Sequence, residues 1–336
     1  MKWIVFLRIV VSYALTIYYN VKFMLLFLLA FIFKRNTRFW VVKDRPTPPK
    51  TLQDPKWGAH KYISVNGVKL HYVEKGDQNK PLMLFVHGFP EFWYSWRHQI
   101  LEFSKDYWCV AVDMRGYADS EKPEGLDAYK IDNMVDDLRA LVKALERDQL
   151  ILVCHDWGAV IGWRYVLRHM DTIQKYVMIG APAFEVYRVI ASREWDQFRK
   201  GWYIHFFRGP YIPEMMLRAR DLSVFSAMKS DYTTPEDIEA FKYTFAKPKA
   251  LTYPINYYRA NNSHTPSIRS KPVKYAPGLF LLGEKEEYIS MSTGPAMEKA
   301  YPNLTYKLVP GATHFAQQDK PVLVNEMMRN FLAAHK

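Results

Sequence analysis

Six residues, Cys154-His155-Asp156-Trp157-Gly158-Ala159, follow a short apolar run, Leu150–Val153. Small residues at 154, 158 and 159 allow a sharp strand–turn–helix bend. That is the setting of a nucleophile elbow, with Asp where a hydrolase of the G-x-S-x-G type carries Ser. The change of residue changes the chemistry. A carboxylate is a poor acyl nucleophile, but it can displace a leaving group from sp3 carbon and form an ester. The dipole of the following helix helps to keep Asp156 ionised. An Asp at a helix start is also an ordinary N-cap, so the motif alone supports both readings.

His314 lies far downstream, in Val309-Pro310-Gly311-Ala312-Thr313-His314. Its place after the last apolar run fits a general base in the chain order nucleophile, acid, histidine. An acid is then wanted after the preceding run. Gly283-Glu284-Lys285-Glu286-Glu287 offers several, most of them expected to be solvated loop residues. His87-Gly88-Phe89-Pro90 ends an earlier run, and the Phe89 N–H with that of Trp157 could form an oxyanion hole. A plain strand-to-loop turn fits those four residues equally well. There is no G-x-G-x-x-G, no G-x-x-x-x-G-K-[ST], no H-E-x-x-H and no EF-hand loop. No nucleotide or metal cofactor is expected.

The elements that must hold these residues alternate. Tyr62–Val65 and Val68–Val73 flank Asn66-Gly67, a hairpin signal. Leu82–Val86, Trp108–Val112, Leu150–Val153, Tyr176–Ile179, Leu279–Leu282 and Thr305–Val309 read as strands. Trp96–Phe103, Ile131–Leu145, Ala159–His169 and Pro321–Leu332 read as helices. Such alternation predicts an α/β fold with a mostly parallel sheet flanked by helices. Residues 183–272 break the rhythm and read as an inserted, aromatic-rich helical cap. The core is then 59–182 and 273–336. The three loop motifs fall at the strands' carboxyl ends, where open α/β sheets place their sites.

The 336 residues carry a net charge of +12, of which the first 50 account for +8 (nine Lys/Arg against Asp44). The body is close to balance, which argues against a nucleic-acid groove. Residues 9–33 hold one charge, Lys22, and 23–33 are wholly apolar. That length suits a transmembrane helix within an N-terminal anchor, 1–42. Lys22 costs about 3 kcal/mol on an insertion scale, which its apolar neighbours can offset. A cleavable signal would end in small residues, and the run is long for a core helix. Lys34, Arg35, Arg38, Lys43 and Arg45 outweigh Lys2 and Arg8, so the body is expected in the cytosol. Two Cys, 109 and 154, suit that compartment. The sequons at Asn261 and Asn303 would be modified only in a lumenal body. Residues 43–58, rich in Pro and charge, read as a linker.

With these motifs in view, the sequence resembles the α/β-hydrolase-fold epoxide hydrolases, in their N-terminally membrane-anchored branch. HGFPEFWYSWRHQ, DMRGYADSEKP, CHDWGA, PINYYR and THFAQQDKP occur in the family's order over most of residues 50–336. The resemblance implies that Asp156 opens an epoxide by back-side attack. It implies two cap tyrosines on the epoxide oxygen, falling on Tyr203 and Tyr258, with Tyr257 the rival of the latter. A phenol, with its pKa near ~10, holds its proton at neutral pH. His314 then activates water, oriented by an acid that falls on Glu286, and the Phe89 and Trp157 amides hold the oxyanion. The product is a vicinal diol, the expected substrates are lipophilic, fatty-acid epoxides among them, and the membrane implied is the endoplasmic reticulum. A haloalkane dehalogenase and a non-catalytic membrane-anchored lipid-binding protein remain as rival readings on the same fold. Three positions depart from the pattern: Glu286 where Asp is usual, Cys154 for Gly, and Ala118 for Gly. Ala118 would cost about 1 kcal/mol at positive φ.

Overall fold

Eight strands form one sheet in a computed structural model that describes residues 2–34, 37–261 and 275–335. The strands are β1 (Ala59–Val65), β2 (Val68–Lys75), β3 (Leu82–Val86), β4 (Trp108–Val112), β5 (Leu150–His155), β6 (Ile173–Ile179), β7 (Gly278–Gly283) and β8 (Leu304–Val309). Their order is β1-β2-β4-β3-β5-β6-β7-β8. Only β1–β2 and β2–β4 are antiparallel, and Asn66-Gly67 turns the first hairpin. β3, β4 and β5 are buried along their whole length, as strands covered on both faces must be. In contrast, the edge strand β1 exposes four of its first five residues.

Helices cover the sheet. α1 (Lys2–Lys34) precedes it; α2 (Arg97–Phe103), α3 (Ile131–Ala144) and α4 (Trp157–Arg168) connect the parallel strands. α3 turns Ile131, Met134, Val135, Leu138, Leu141 and Val142 inward, the apolar stripe read from its spacing. Between β6 and β7 the chain leaves the sheet for six α-helices among the described residues. These are α5 (Phe184–Arg193), α6 (Trp195–Lys200), α7 (Trp202–Phe207), α8 (Ile212–Leu222), α9 (Pro235–Ala246) and α10 (Thr252–Ala260). They form a cap. α11 (Thr293–Ala300), α12 (Ala316–Asp319) and α13 (Pro321–Ala334) complete the chain. The expected cap boundary at 272/273, and Asn262-Ser263 of the first sequon, lie outside the described residues.

Three local differences from the sequence reading have physical causes. α4 starts at Trp157, two residues earlier than expected, so Asp156 is the last residue before it. α11 is absent from the sequence reading; its stretch, TGPAMEKA, holds Gly and Pro and only a short apolar stripe. Residues 43–58 are not a free linker. The Lys43 N–H and the Arg45 guanidinium bind Asp221 of the cap (3.0 and 2.7 Å), Arg45 also reaches Glu239, and the Thr51 N–H donates to Glu236. The Arg45 charge is neutralised by the cap's Asp221 and Glu239. Ala118 does adopt φ +39°, the conformation glycine would take freely.

Candidate active site

Asp156 has φ +48° and ψ −118°, a strained backbone held by the bend between β5 and α4. Its side chain makes no cap hydrogen bond to α4, unlike an ordinary N-cap aspartate. Instead Oδ1 accepts the Phe89 N–H at 2.7 Å from the turn after β3. The registers β3–β5 and β5–β6 bring that turn beside the elbow. Close approach requires glycine at 88, where a Cβ would lie 2.5 Å from the Asp156 Cβ.

His314 and Glu286 complete an arc around the carboxylate. Glu286 Oε2 lies 2.8 Å from His314 Nδ1, and His314 Nε2 lies 3.5 Å from Asp156 Oδ2. Glu286 is buried, and its other oxygen accepts the Tyr288 N–H at 2.8 Å. Glu287 is exposed, and Glu284, also exposed, accepts the Gly311 N–H. The cluster read from sequence as several candidate acids thus presents one, Glu286, to the imidazole.

The electrostatics follow from burial and charge. Burial opposes ionisation of Asp156. The His314 hydrogen bond and charge, with smaller help from His155 and the Phe89 N–H, outweigh it and hold the carboxyl below its usual range. Burial also opposes a charged His314, but Glu286 and Asp156 raise its pKa well above the ordinary value. Both shifts favour a carboxylate beside an imidazolium.

Tyr203 of α7 and Tyr258 of α10 face each other above this arc, ring centroids 6.1 Å apart at 84°. Burial, reinforced by other phenols and by the charge of Asp156, pushes both phenols well above their ordinary pKa. Tyr257 points elsewhere: its hydroxyl donates to the Arg115 carbonyl at 2.8 Å. Trp157 packs edge-on against Tyr258 (5.0 Å). Its amide opens α4, among the helix N–H groups that lack an intrahelical acceptor. Its geometry differs from that of Phe89, whose N–H is on the carboxylate.

Two cavities, of about 90 and 140 Å³, share Asp156, Tyr203 and Tyr258 as lining residues. One continues between Val160, Ala181, Phe184, Tyr187 and Ile289. The other runs past Phe207, Met216, Leu217, Val224 and Met228, with His314 in its wall. The carboxylate thus lies between two mostly apolar arms.

A buried polar network behind the site was not singled out in the sequence. Glu91 accepts from the Gly88 N–H (3.0 Å) and from Gln317 and Gln318 (2.9 and 2.8 Å), and lies 2.6 Å from His155 Nδ1. Nε2 of His155 reaches the His314 carbonyl at 2.9 Å. Burial disfavours a charged Glu91; the charge and hydrogen bond of His155, with the Gly88 amide, more than offset it and lower its pKa. The network joins the turn carrying the Phe89 N–H to the loop carrying His314. The only signal for it was its membership in HGFPE, CHDWGA and THFAQQ.

This sheet order, elbow and inserted cap define an α/β hydrolase, and residues 81–321 match the alpha/beta hydrolase fold family. Epoxide hydrolase 1 of Caenorhabditis elegans is 36% identical over 95% of this chain and 80% of its own length. Human epoxide hydrolase 4 is 35% identical, over 86% of this chain and 83% of its own. The crystal structure of Bacillus megaterium epoxide hydrolase in complex with an inhibitor superposes with a TM-score of 0.73 at 34% identity. It covers 81% of this chain and all of the bacterial one. The chain belongs to the α/β-hydrolase-fold epoxide hydrolases, and its apolar N-terminal helix is a candidate membrane anchor.

Proposed function

We propose that the protein converts lipophilic epoxides, fatty-acid epoxides among them, to vicinal diols through an alkyl ester on Asp156. The observation that carries the reading is a carboxylate held at Oδ1 by the Phe89 amide, with His314 beside Oδ2 and two phenols across the cavity. Oδ2 attacks an epoxide carbon from the side opposite the tyrosines. The C–O bond breaks, and Tyr203 or Tyr258 gives its proton to the alkoxide. A phenol with a raised pKa keeps its proton until that alkoxide forms.

Esterification removes the charge of Asp156, one of the two carboxylates that hold the proton on His314. The imidazolium becomes more acidic and returns a proton to the tyrosinate. His314 is then a neutral base, oriented by Glu286. It takes a proton from water, and the hydroxide adds to the Asp156 carboxyl carbon. The oxyanion develops at Oδ1, on the Phe89 N–H, with the Trp157 amide as second donor. Collapse expels the diol's second oxygen, which takes the remaining proton of the added water from the carboxyl. Asp156 carboxylate and His314 imidazolium are restored, and one water has been consumed.

Two apolar arms meeting at Asp156 favour an internal epoxide with a chain on each side. Membrane attachment through α1, with the body facing the cytosol, is supported by the basic residues that follow that helix. The endoplasmic reticulum is the membrane implied by the family. The test is diol formation by membranes carrying the full chain, on mid-chain epoxy fatty acids, a short terminal epoxide and a haloalkane. The reading expects diol from the first, weaker turnover of the second and no halide from the third. No diol from a folded protein would leave it a binding protein; halide release without diol would make it a dehalogenase.

A further inference from the structure

A helix that crosses a bilayer alone should be free of its soluble body along the span, and α1 is not. Six of its half-buried residues, Ser12, Thr16, Tyr19, Asn20, Phe23 and Phe27, recur at helical spacing and form one face. That face lies on the cap. The Phe23 ring stacks on Trp202 at 5.4 Å and meets Phe206 at 4.6 Å. The Asn20 amide donates to the Phe206 carbonyl at 3.1 Å, and Ser12 binds His205 and Arg208. From Ser12 to Phe27 the covered stretch is about 22 Å long, most of a hydrocarbon core of about 30 Å.

The far end of the helix is tied down as well. Phe27 packs on Trp40 at 5.2 Å, and three residues later Lys43 and Arg45 are fastened to Asp221 of the cap. The body cannot hang below the membrane while α1 stands in it. The opposite face is apolar and open to solvent: Ile17, Val21, Met24, Leu25, Leu28 and Ile32 are each two-fifths or more exposed. Lys22, exposed at mid-length, would be placed at the centre of a crossing but can reach the surface from a helix lying flat.

We propose that α1 lies in the plane of a single leaflet, its outer face in the lipid and its inner face on the cap, and does not cross the bilayer. Two features of the surroundings fit a lipid surface. A groove of about 760 Å³ beside Tyr13 and Thr16 carries Arg208, Arg218 and Arg259 against one acid, Glu214, suited to the headgroup level. Trp202, under Phe23, also lines the larger arm of the active-site cavity, so apolar molecules in that leaflet would lie beside the wall of the site.

The test reads topology, not activity, so it is independent of the proposed substrate. A glycosylation acceptor on a flexible spacer is added ahead of Met1 of the full chain, which is synthesised with microsomes. In-plane attachment expects the tag and the body on one side: either both reached by external protease, or both protected with the tag glycosylated. A glycosylated, protected tag with a protease-sensitive body would overturn the proposal. So would recovery of the chain in the soluble fraction after a salt wash. The double variant S12L/N20L gives a second reading. On a helix facing lipid, leucines leave the body's melting temperature unchanged, which would contradict the proposal. On a helix docked to the cap, they remove the Asn20 donor to the Phe206 carbonyl and the Ser12 hydroxyl that binds His205 and Arg208, and lower it by several degrees.

Discussion

His314 is held between two carboxylates, Glu286 2.8 Å from one ring nitrogen and Asp156 3.5 Å from the other. In the proposed mechanism this single ring senses whether Asp156 is free or esterified: it is charged at rest and becomes a base once the ester forms.

The same relationship sets a pH dependence of stability. The folded pKa of His314 is raised, so its protonation stabilises the fold fully below its unfolded value, near ~6.5. The contribution is lost as pH rises through the folded pKa. The melting-temperature gap between wild type and H314Q is therefore expected to be widest at pH 6 and to narrow toward pH 9. A gap that widens with pH would mean that the ring is neutral in the resting site.

The proposed mechanism separates the tyrosines. Y203F and Y258F each should slow ester formation by roughly 100-fold, within the usual range for general acid catalysis, with the fold retained. Rapid-quench mass spectrometry of the enzyme reads that step directly. Y257F should keep the ester-forming rate and lose about 1 kcal/mol of stability, because its hydroxyl binds only the Arg115 carbonyl.

Glu91 acts through its neighbours. E91A would leave His155, Gln317, Gln318 and the Gly88 amide without their shared acceptor in a fully buried site. Breaking such a pair typically costs about 3–5 kcal/mol. The loss is checked by denaturant unfolding. E91Q keeps the volume and one acceptor oxygen, so it should recover part of the stability while still lowering turnover, because the Phe89 turn and the His314 loop are no longer tied by a charge.

The residues proposed to react were visible in sequence because apolar runs fix where strands end, and strand ends fix which loops share a rim. Leu150–Val153 before Asp156 and Thr305–Val309 before His314 were enough to place both. Glu286 could be narrowed to a short cluster, but only side-chain packing separates it from Glu287. Tyr203 has no local signal among 23 tyrosines; it depended on the family resemblance and on the cap's fold. The Glu91–His155 network was hidden because buried polar contacts have no periodicity. α1 was legible as apolar, but its docking on Trp202 and Phe206 is a tertiary fact that hydropathy does not carry.

The most direct test of the account is to trap the ester. H314Q removes the base but leaves Asp156 and both tyrosines, so the first step should proceed and the second should stall. After exposure to an epoxy fatty acid, intact mass spectrometry should show the protein heavier by one substrate, and peptide mapping should place the addition on Asp156. An unmodified H314Q that still binds the epoxide, or an adduct on any other residue, would contradict the assignment of Asp156 as the nucleophile.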